Sequence, residues 1–174
     1  MINHPSMPHT NSNANVHKKV ELMKLSSAVT QLIVDCDCCN DKALKKLAFS
    51  KWPLLSVIEI GSHCFQYVEE TELIGLCNLE RVVIGEHCFM KKKRYDEPKH
   101  FYLKSCEKVK ELKIGCYSFS GCSACEIEND DSLEMIEIGE LNEMSRNSCY
   151  DIGFGNSNFY EGDCEIRSYC NGMN

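Results

Sequence analysis

Apolar residues recur along the chain at a fixed spacing that ends on a glycine. Residues 79–85, "LERVVIG", show the unit, in which apolar residues stand six, three and one positions before Gly85. We write this pattern LxxLxIG. It occurs four times and ends at Gly61, Gly85, Gly115 and Gly139, with a longer interval between the second and third glycines than between the others. The alternation of polar and apolar residues before each glycine predicts a short strand with one buried face.

A fifth, degenerate copy precedes these four, with Val29, Leu32 and Val34 in the apolar positions and Asp35 in place of the glycine. Between the copies lie further alternating segments, "LAFS", "TELI", "FYLK", "CEIE" and "CEIR". They predict a second strand in each copy, on the return path of the chain. One stretch alone has a helical pattern, residues 40–47, with Asn40 or Asp41 as a candidate N-cap.

One such copy cannot bury its apolar stripe alone, whereas stacked copies form a continuous core. We therefore predict a mainly β, α/β-type solenoid, a leucine-rich-repeat-length array of short parallel strands with about 24–30 residues per repeat and little helix. The glycine is expected to permit a backbone turn after the strand. Residues 1–19 are predicted to be a disordered polar lead, and residues 20–174 a single array of about five repeats. Residues 20–28 are a candidate N-terminal cap, and residues 164–174 an incomplete repeat.

Residues 29–170 resemble the irregular leucine-rich repeats of large surface or cytoplasmic proteins of microbial eukaryotes and of some bacterial surface proteins. The residues that carry the resemblance are Leu55, Ile58, Ile60, Gly61 and Phe65; Leu79, Val82, Ile84, Gly85 and Phe89; and Val109, Leu112, Ile114, Gly115 and Phe119. The fourth copy, Leu133, Ile136, Ile138 and Gly139, departs from the pattern, because Glu143 stands where phenylalanine is expected. The resemblance implies a scaffold that binds proteins, without catalysis.

Positions four and two before each glycine are expected to face outward. The residues of this predicted binding face are Val57, Glu59, Arg81, Val83, Glu111, Lys113, Met135 and Glu137. Stacking would pair Arg81 with Glu111, and Lys113 with Glu137. Mixed apolar and charged side chains on a sheet face favour protein recognition. The alternative is that isolated exposed apolar residues are common on any protein surface.

A basic insertion, residues 90–100, accounts for the longer interval between Gly85 and Gly115. Its side chains Lys91, Lys92, Lys93 and Arg94 are a second candidate surface, for an acidic partner; the alternative is a solvated loop. Residues 126–174 carry 2 Lys/Arg against 12 Asp/Glu. The insertion of one copy is therefore also a candidate contact for this acidic third of another copy, which would give head-to-tail self-association.

The Cys and His residues are candidates for chemistry, but most of them occupy repeat positions. Cys38, Cys64 and Cys88 share one position, which Ser118 and Asn142 take in later copies, and this pattern favours a buried ladder. His63 and His87 share the next position and are expected to point to solvent, with no third metal ligand beside them. The CxxC of Cys122 and Cys125, with Cys116 and Cys149, is a weak zinc or redox candidate. We predict no catalytic residue, metal or cofactor.

Composition narrows the class of protein. The chain has 174 residues, 43% apolar and 26% charged, with a net charge of −7. The acidic C-terminal third disfavours nucleic acid, and no stretch has the length of a membrane span. Thirteen cysteines, an odd number, without an export signal predict a reducing, cytoplasmic location. Three hypotheses follow: a protein-interaction module, favoured here, a structural part of a longer array, and a cysteine-dependent zinc or redox protein.

Overall fold

The computed structural model describes residues 12–90, 99–120, 122–129, 132–139 and 163–168. Within these ranges the strands are β1 (Asn13–Val16), β2 (Gln31–Val34), β3 (Lys46–Ala48), β4 (Val57–Ile60), β5 (Glu70–Ile74), β6 (Arg81–Ile84), β7 (His100–Lys104), β8 (Glu111–Gly115), β9 (Ala124–Asn129), β10 (Met135–Gly139) and β11 (Asp163–Ser168). One short helix, α1 (Lys19–Met23), follows β1, and a 3₁₀ helix (Phe49–Lys51) follows β3.

The strands form two parallel sheets, and from β2 onward the chain alternates between them. Sheet A has the order β1-β2-β4-β6-β8-β10, and sheet B has the order β11-β9-β7-β5-β3. The IG ends of the copies lie in sheet A, and the second set of alternating segments lies in sheet B. The prediction of a mainly parallel-strand fold with little helix is therefore confirmed.

Alternate side chains of both sheets point inward and make one apolar core. In sheet A, Ile58 of β4 pairs in register with Val82 of β6, and Val82 with Leu112 of β8, all of them fully buried. Behind this sheet the rings of Phe65, Phe89 and Phe119 stack, with centroids 5.4 and 4.5 Å apart. Each such side chain stabilises the fold by about 1.5–3 kcal/mol relative to an exposed one.

In three of the four copies, at Gly61, Gly85 and Gly115, the glycine is required by packing, whereas Gly139 has a positive φ (113°), as expected for a backbone turn. Gly85 does not have a positive φ, but a Cβ there would lie 2.6 Å from the backbone nitrogen of Ser62 in the preceding copy. The left-handed residues come later in the turn, for example His87 (φ 54°) and Phe89 (φ 55°). The turn is therefore made by residues with side chains, and glycine allows the copies to approach closely.

The N-terminal boundary also needs correction. Strand β1 lies inside residues 1–19, which we predicted to be disordered; Ala14 and Val16 turn inward and are buried, and β1 pairs with β2. Residues 1–11 lie outside the described ranges. Helix α1 overlaps the predicted cap, residues 20–28, and its Leu22 is fully buried. This end of the apolar core is therefore covered.

The predicted helix at residues 40–47 does not form. The segment is a turn that leads into β3, and Leu44 and Leu47 are buried in the core. The side chain of Asn40 is used between copies: its Nδ2 donates to the carbonyl oxygen of His63 at 2.8 Å, and its Oδ1 accepts from the N–H of Gln66 at 3.0 Å. Contacts with the next copy therefore outweigh the local helical preference.

Candidate functional site

The outer face of sheet A carries the eight residues of the predicted strand surface. Two columns run across the strands in register, Val57, Arg81, Glu111 and Met135 in one, and Glu59, Val83, Lys113 and Glu137 in the other. In β4, β6 and β8 these side chains are partly exposed while their inward neighbours are buried. The structure thus brings all eight together on one surface, which we call the sheet A face.

The charged residues of the sheet A face are paired with one another. Both predicted pairs are present: Arg81 Nε lies 2.8 Å from Glu111 Oε2, and Lys113 Nζ lies 3.3 Å from Glu137 Oε2. Arg81 also contacts Glu59, and Lys113 Nζ lies 2.9 Å from Glu111 Oε1. The hydrogen bond from Lys113, with that from Arg81, lowers the pKa of Glu111. Each exposed pair contributes only about 0.2–1 kcal/mol, but together they fix side-chain positions across four strands.

Apolar side chains lie between these ion pairs. Ile33, Val57 and Val83 are partly exposed and occupy alternating columns on three neighbouring strands, so that each is the diagonal neighbour of the next. We call these three residues the apolar diagonal. Glu59 and Arg81 occupy the opposite diagonal between Val57 and Val83. Because the charges are already paired, the apolar diagonal is the part of this face whose burial would gain most free energy.

The Cys ladder is a structural feature of the core. Cys38, Cys64 and Cys88 are buried, and Ser118 continues their column. The Cys64 thiol donates to the carbonyl oxygen of Asp35 at 2.9 Å, and the Cys88 thiol to that of Gly61 at 3.1 Å. The hydrogen bond with Cys64, together with burial, raises the pKa of Cys88. At Cys88 the raised pKa disfavours the thiolate that redox chemistry requires, whereas the hydrogen bond from Cys88 lowers the pKa of Cys64. Asn142 lies outside the described residues.

His63, His87 and Tyr117 form a stack of rings beside the Cys ladder. The ring centroids are 4.9 Å apart for His63 and His87, and 5.0 Å for His87 and Tyr117. All three rings are partly exposed, whereas the Cys ladder beside them is buried. Burial, with the nearby His63, lowers the pKa of His87. The described residues contain no group of three or more His, Cys, Asp or Glu side chains that could hold a metal ion.

The CxxC cysteines are packed into the core. Cys122, Cys125 and Cys116 are all buried, and Cys125 pairs in register with the inward Phe101. The Cys122 thiol donates to the carbonyl oxygen of Ala124 at 3.0 Å. These contacts are those of cysteines that pack in the apolar core. Cys149 and the basic insertion residues Lys91, Lys92, Lys93 and Arg94 lie outside the described residues.

Sequence reasoning did not consider the outer face of sheet B, which has its own ion pairs. Lys46 Nζ lies 2.9 Å from Glu70 and 2.7 Å from Glu72, and the ammonium of Lys104 lies 5.2 Å from the centre of the Tyr102 ring. The signal for this face was available, because the TELI and FYLK segments alternate as the IG segments do. Apart from Ile74 at the end of β5, the outward side chains of β5 and β7 are polar or aromatic.

Comparisons of the chain with protein-family models, with curated proteins and with solved structures found no match. Helix α1 has five residues, and no helix in the described ranges has the length and hydropathy needed to cross a membrane.

Proposed function

We propose that this chain is a protein-interaction module of the leucine-rich-repeat type, a short solenoid that binds a partner protein through the sheet A face. The observation that carries the proposal is the apolar diagonal, Ile33, Val57 and Val83, held among ion pairs that are already satisfied. We further propose that the module acts by binding and not by catalysis, in the cytoplasm.

The chemistry of the face defines the partner it fits. A central apolar strip surrounded by charged groups resembles the arrangement of protein interfaces, in which a few apolar anchors are enclosed by a polar rim. Residues Glu59, Glu111 and Glu137 outnumber Arg81 and Lys113, so the face is slightly acidic. The partner surface is therefore expected to offer apolar side chains flanked by at least one Lys or Arg.

The face is tested by a double substitution, Val57→Asp with Val83→Asp. Both positions are partly exposed, so the variant is expected to remain folded while the apolar diagonal is lost. Ile74→Asp is the matched control, because Ile74 is an exposed aliphatic residue at an outward position of sheet B. Immobilised wild type, double variant and control are each incubated with extract of the native cells, and the retained proteins are identified by mass spectrometry.

The expected result is a protein that the wild type and Ile74→Asp retain and the double variant loses. The retained protein is then purified, and its affinity for the wild type and for the double variant is measured. The double substitution should weaken this affinity at least about tenfold, or about 1.4 kcal/mol. If every retained protein is also bound by the folded double variant, the sheet A face is not the binding surface.

A second candidate function is a structural role within a longer array. It is favoured by β10, where the core-facing Ile136 and Ile138 are exposed. Under this hypothesis the wild type would retain no protein through the sheet A face, and the same double substitution would change nothing.

A further inference from the structure

The two edges of sheet A differ in how well they cover the core. In β10, Ile136 and Ile138 are 38% and 37% exposed, although their register partners Leu112 and Ile114 in β8 are completely buried. At the opposite edge, Val16 of β1 is fully buried. Within the described part of the chain, β10 is therefore the edge strand of sheet A at an open end of the apolar core.

The opposite end presents a surface with matching chemistry. Helix α1 covers the core with Leu22 and exposes two other apolar side chains, Val20 and Met23, which are 59% and 48% exposed. These residues are three positions apart and lie on one side of the helix. Sequence reasoning predicted the cap but not that the cap would have a second apolar surface.

The charges of the two ends are opposite. Residues 12–30 contain three lysines and one glutamate, a net charge of +2, and Lys18 and Lys24 are exposed. Residues 132–139 contain two glutamates, Glu134 and Glu137, and no basic residue, a net charge of −2. Lys110 and Lys113 of the same chain already pair with Glu134 and Glu137, and Lys19 pairs with Asp41, so the exposed Lys18 and Lys24 favour contact between unlike ends over like ends only weakly.

The strand direction also favours a second copy of this chain. All strands of sheet A are parallel, with β1 at one edge and β10 at the other. A second copy that places its β1 beside β10 would continue the sheet in the same direction. Asn13–Val16 would then follow Met135–Ile138 in register, as each inner strand follows its neighbour.

From these four observations we propose that copies of this chain associate head to tail: the β1 and α1 end of one copy docks on the β10 end of the next. Val20 and Met23 cover Ile136 and Ile138, and Lys18 and Lys24 lie near Glu134 and Glu137. The contact is heterologous, since it joins two different surfaces, so association continues beyond a dimer unless the rotation closes a ring. It uses neither the apolar diagonal nor the proposed protein partner.

Sedimentation velocity of the full chain over a wide concentration range tests the contact. The wild type should reach average masses above that of a dimer, and added salt should shift association to higher concentration. Met23→Glu alters one end and Ile138→Glu the other, so each variant alone should remain a single chain. A mixture of the two variants retains one intact pair of ends and should form a dimer and nothing larger.

Three results would overturn the proposal. A wild type that stays a single chain at every concentration would show that something other than a second copy, such as residues 140–162 of the same chain, covers Ile136 and Ile138. A wild type that stops at a dimer, or a mixture of variants that does not recover dimers, would exclude a head-to-tail contact.

Charge reversal keeps the test valid if Ile138→Glu does not fold, as judged by circular dichroism. Glu134→Lys with Glu137→Lys changes exposed residues of the open end, and Lys18→Glu with Lys24→Glu changes the capped end. Each double variant alone should associate more weakly than the wild type, and a chain that carries all four substitutions should recover association. If the four-fold variant stays a single chain while the wild type associates, the proposed pairing of ends is wrong.

Discussion

The backbone N–H of Cys88 donates a hydrogen bond to the hydroxyl oxygen of Ser118 at 2.9 Å, and that hydroxyl donates to the carbonyl oxygen of Gly85 at 2.6 Å. Two copies earlier, the thiol of Cys64 has the same role: it accepts from the N–H of Cys38 at 3.4 Å. The position therefore requires a small side chain that can both accept and donate, and either oxygen or sulfur satisfies it.

Substitutions at Ser118 separate hydrogen bonding from size. Ser118→Ala leaves the buried N–H of Cys88 and the carbonyl of Gly85 without this bridge, and should lower the free energy of unfolding by about 1–3 kcal/mol. Ser118→Cys keeps a donor and acceptor and should cost less than the alanine. Urea unfolding followed by circular dichroism measures both. Equal stability of the two variants would contradict the bridging role.

Val83 and Ile84 are adjacent in β6 but face opposite ways, and Ile84 is buried while Val83 is partly exposed. Ile84→Asp places an unpaired carboxylate in the core and should cost about 4 kcal/mol or more, enough to unfold most of the protein. Val83→Asp should change stability by about 0.5 kcal/mol or less. Thermal unfolding compares them, and loss of the fold in Val83→Asp would mean that the outward assignment is wrong.

Two glycines are predicted to lose different amounts of stability when replaced by asparagine. Gly75 has a φ of 69° and open space where a Cβ would be, and asparagine tolerates left-handed backbone, so Gly75→Asn should cost well under about 1 kcal/mol. At Gly85 the Cβ would lie 2.6 Å from backbone, and Gly85→Asn should cost about 1–3 kcal/mol. Midpoints of urea unfolding measure the difference; a smaller loss at Gly85 than at Gly75 would refute the packing role of Gly85.

The lowered pKa of His87 predicts a pH dependence of stability. Below about pH 6.5 the imidazole of His87 is protonated in the unfolded chain but stays neutral in the folded protein until its lower folded pKa is reached. The free energy of unfolding therefore decreases as the pH falls from about 6.5 towards the folded pKa of His87. His87→Tyr, the residue found at position 117 of the same stack, removes the effect. The stability difference between variant and wild type should shift in favour of the variant from about pH 7 to about pH 5. If the free energies of unfolding of the variant and the wild type change in parallel over this pH range, His87 does not have this role.

Thiol reactivity should follow burial. Cys36 and Cys77 are exposed, whereas burial raises the pKa of Cys39 to about 12. Iodoacetamide at about pH 8 should therefore label Cys36 and Cys77 at least about a hundredfold faster than Cys39 or Cys88. Peptide mass spectrometry measures each site, and labelling in urea is the control for intrinsic reactivity. Similar rates at Cys88 and Cys36 in the folded protein would contradict the buried ladder.

The inside and outside positions of the strands were predictable because side chains alternate with a period of two. Once Ile84 is assigned to the core, Val83 must face outward, and the common position in each copy aligns Arg81 with Glu111. The short segment at β11 was recognised in the same way from its likeness to β9. The parts of the fold that depend on repetition were therefore accessible from residue types alone.

The parts that were missed depend on contacts that the local sequence does not encode. Asn13–Val16 has no IG pattern and many polar residues, yet it forms β1 because β2 offers a sheet edge to which it can pair. Phe89 adopts a left-handed backbone conformation (φ 55°) that a bulky side chain disfavours. The diagonal contact between Arg81 and Glu59 depends on side-chain rotamers and not on spacing.

The spacing between copies and the register between strands are independent of each other. The chain takes a longer path from Arg81 to Glu111 than from Val57 to Arg81, yet all three residues stand in one column. The stack of Phe65, Phe89 and Phe119 likewise continues across the longer interval. Between Met90 and Lys99 the chain can therefore change in length during evolution while the rest of the architecture stays constant. The same interval is a natural position for grafting a foreign epitope into the protein.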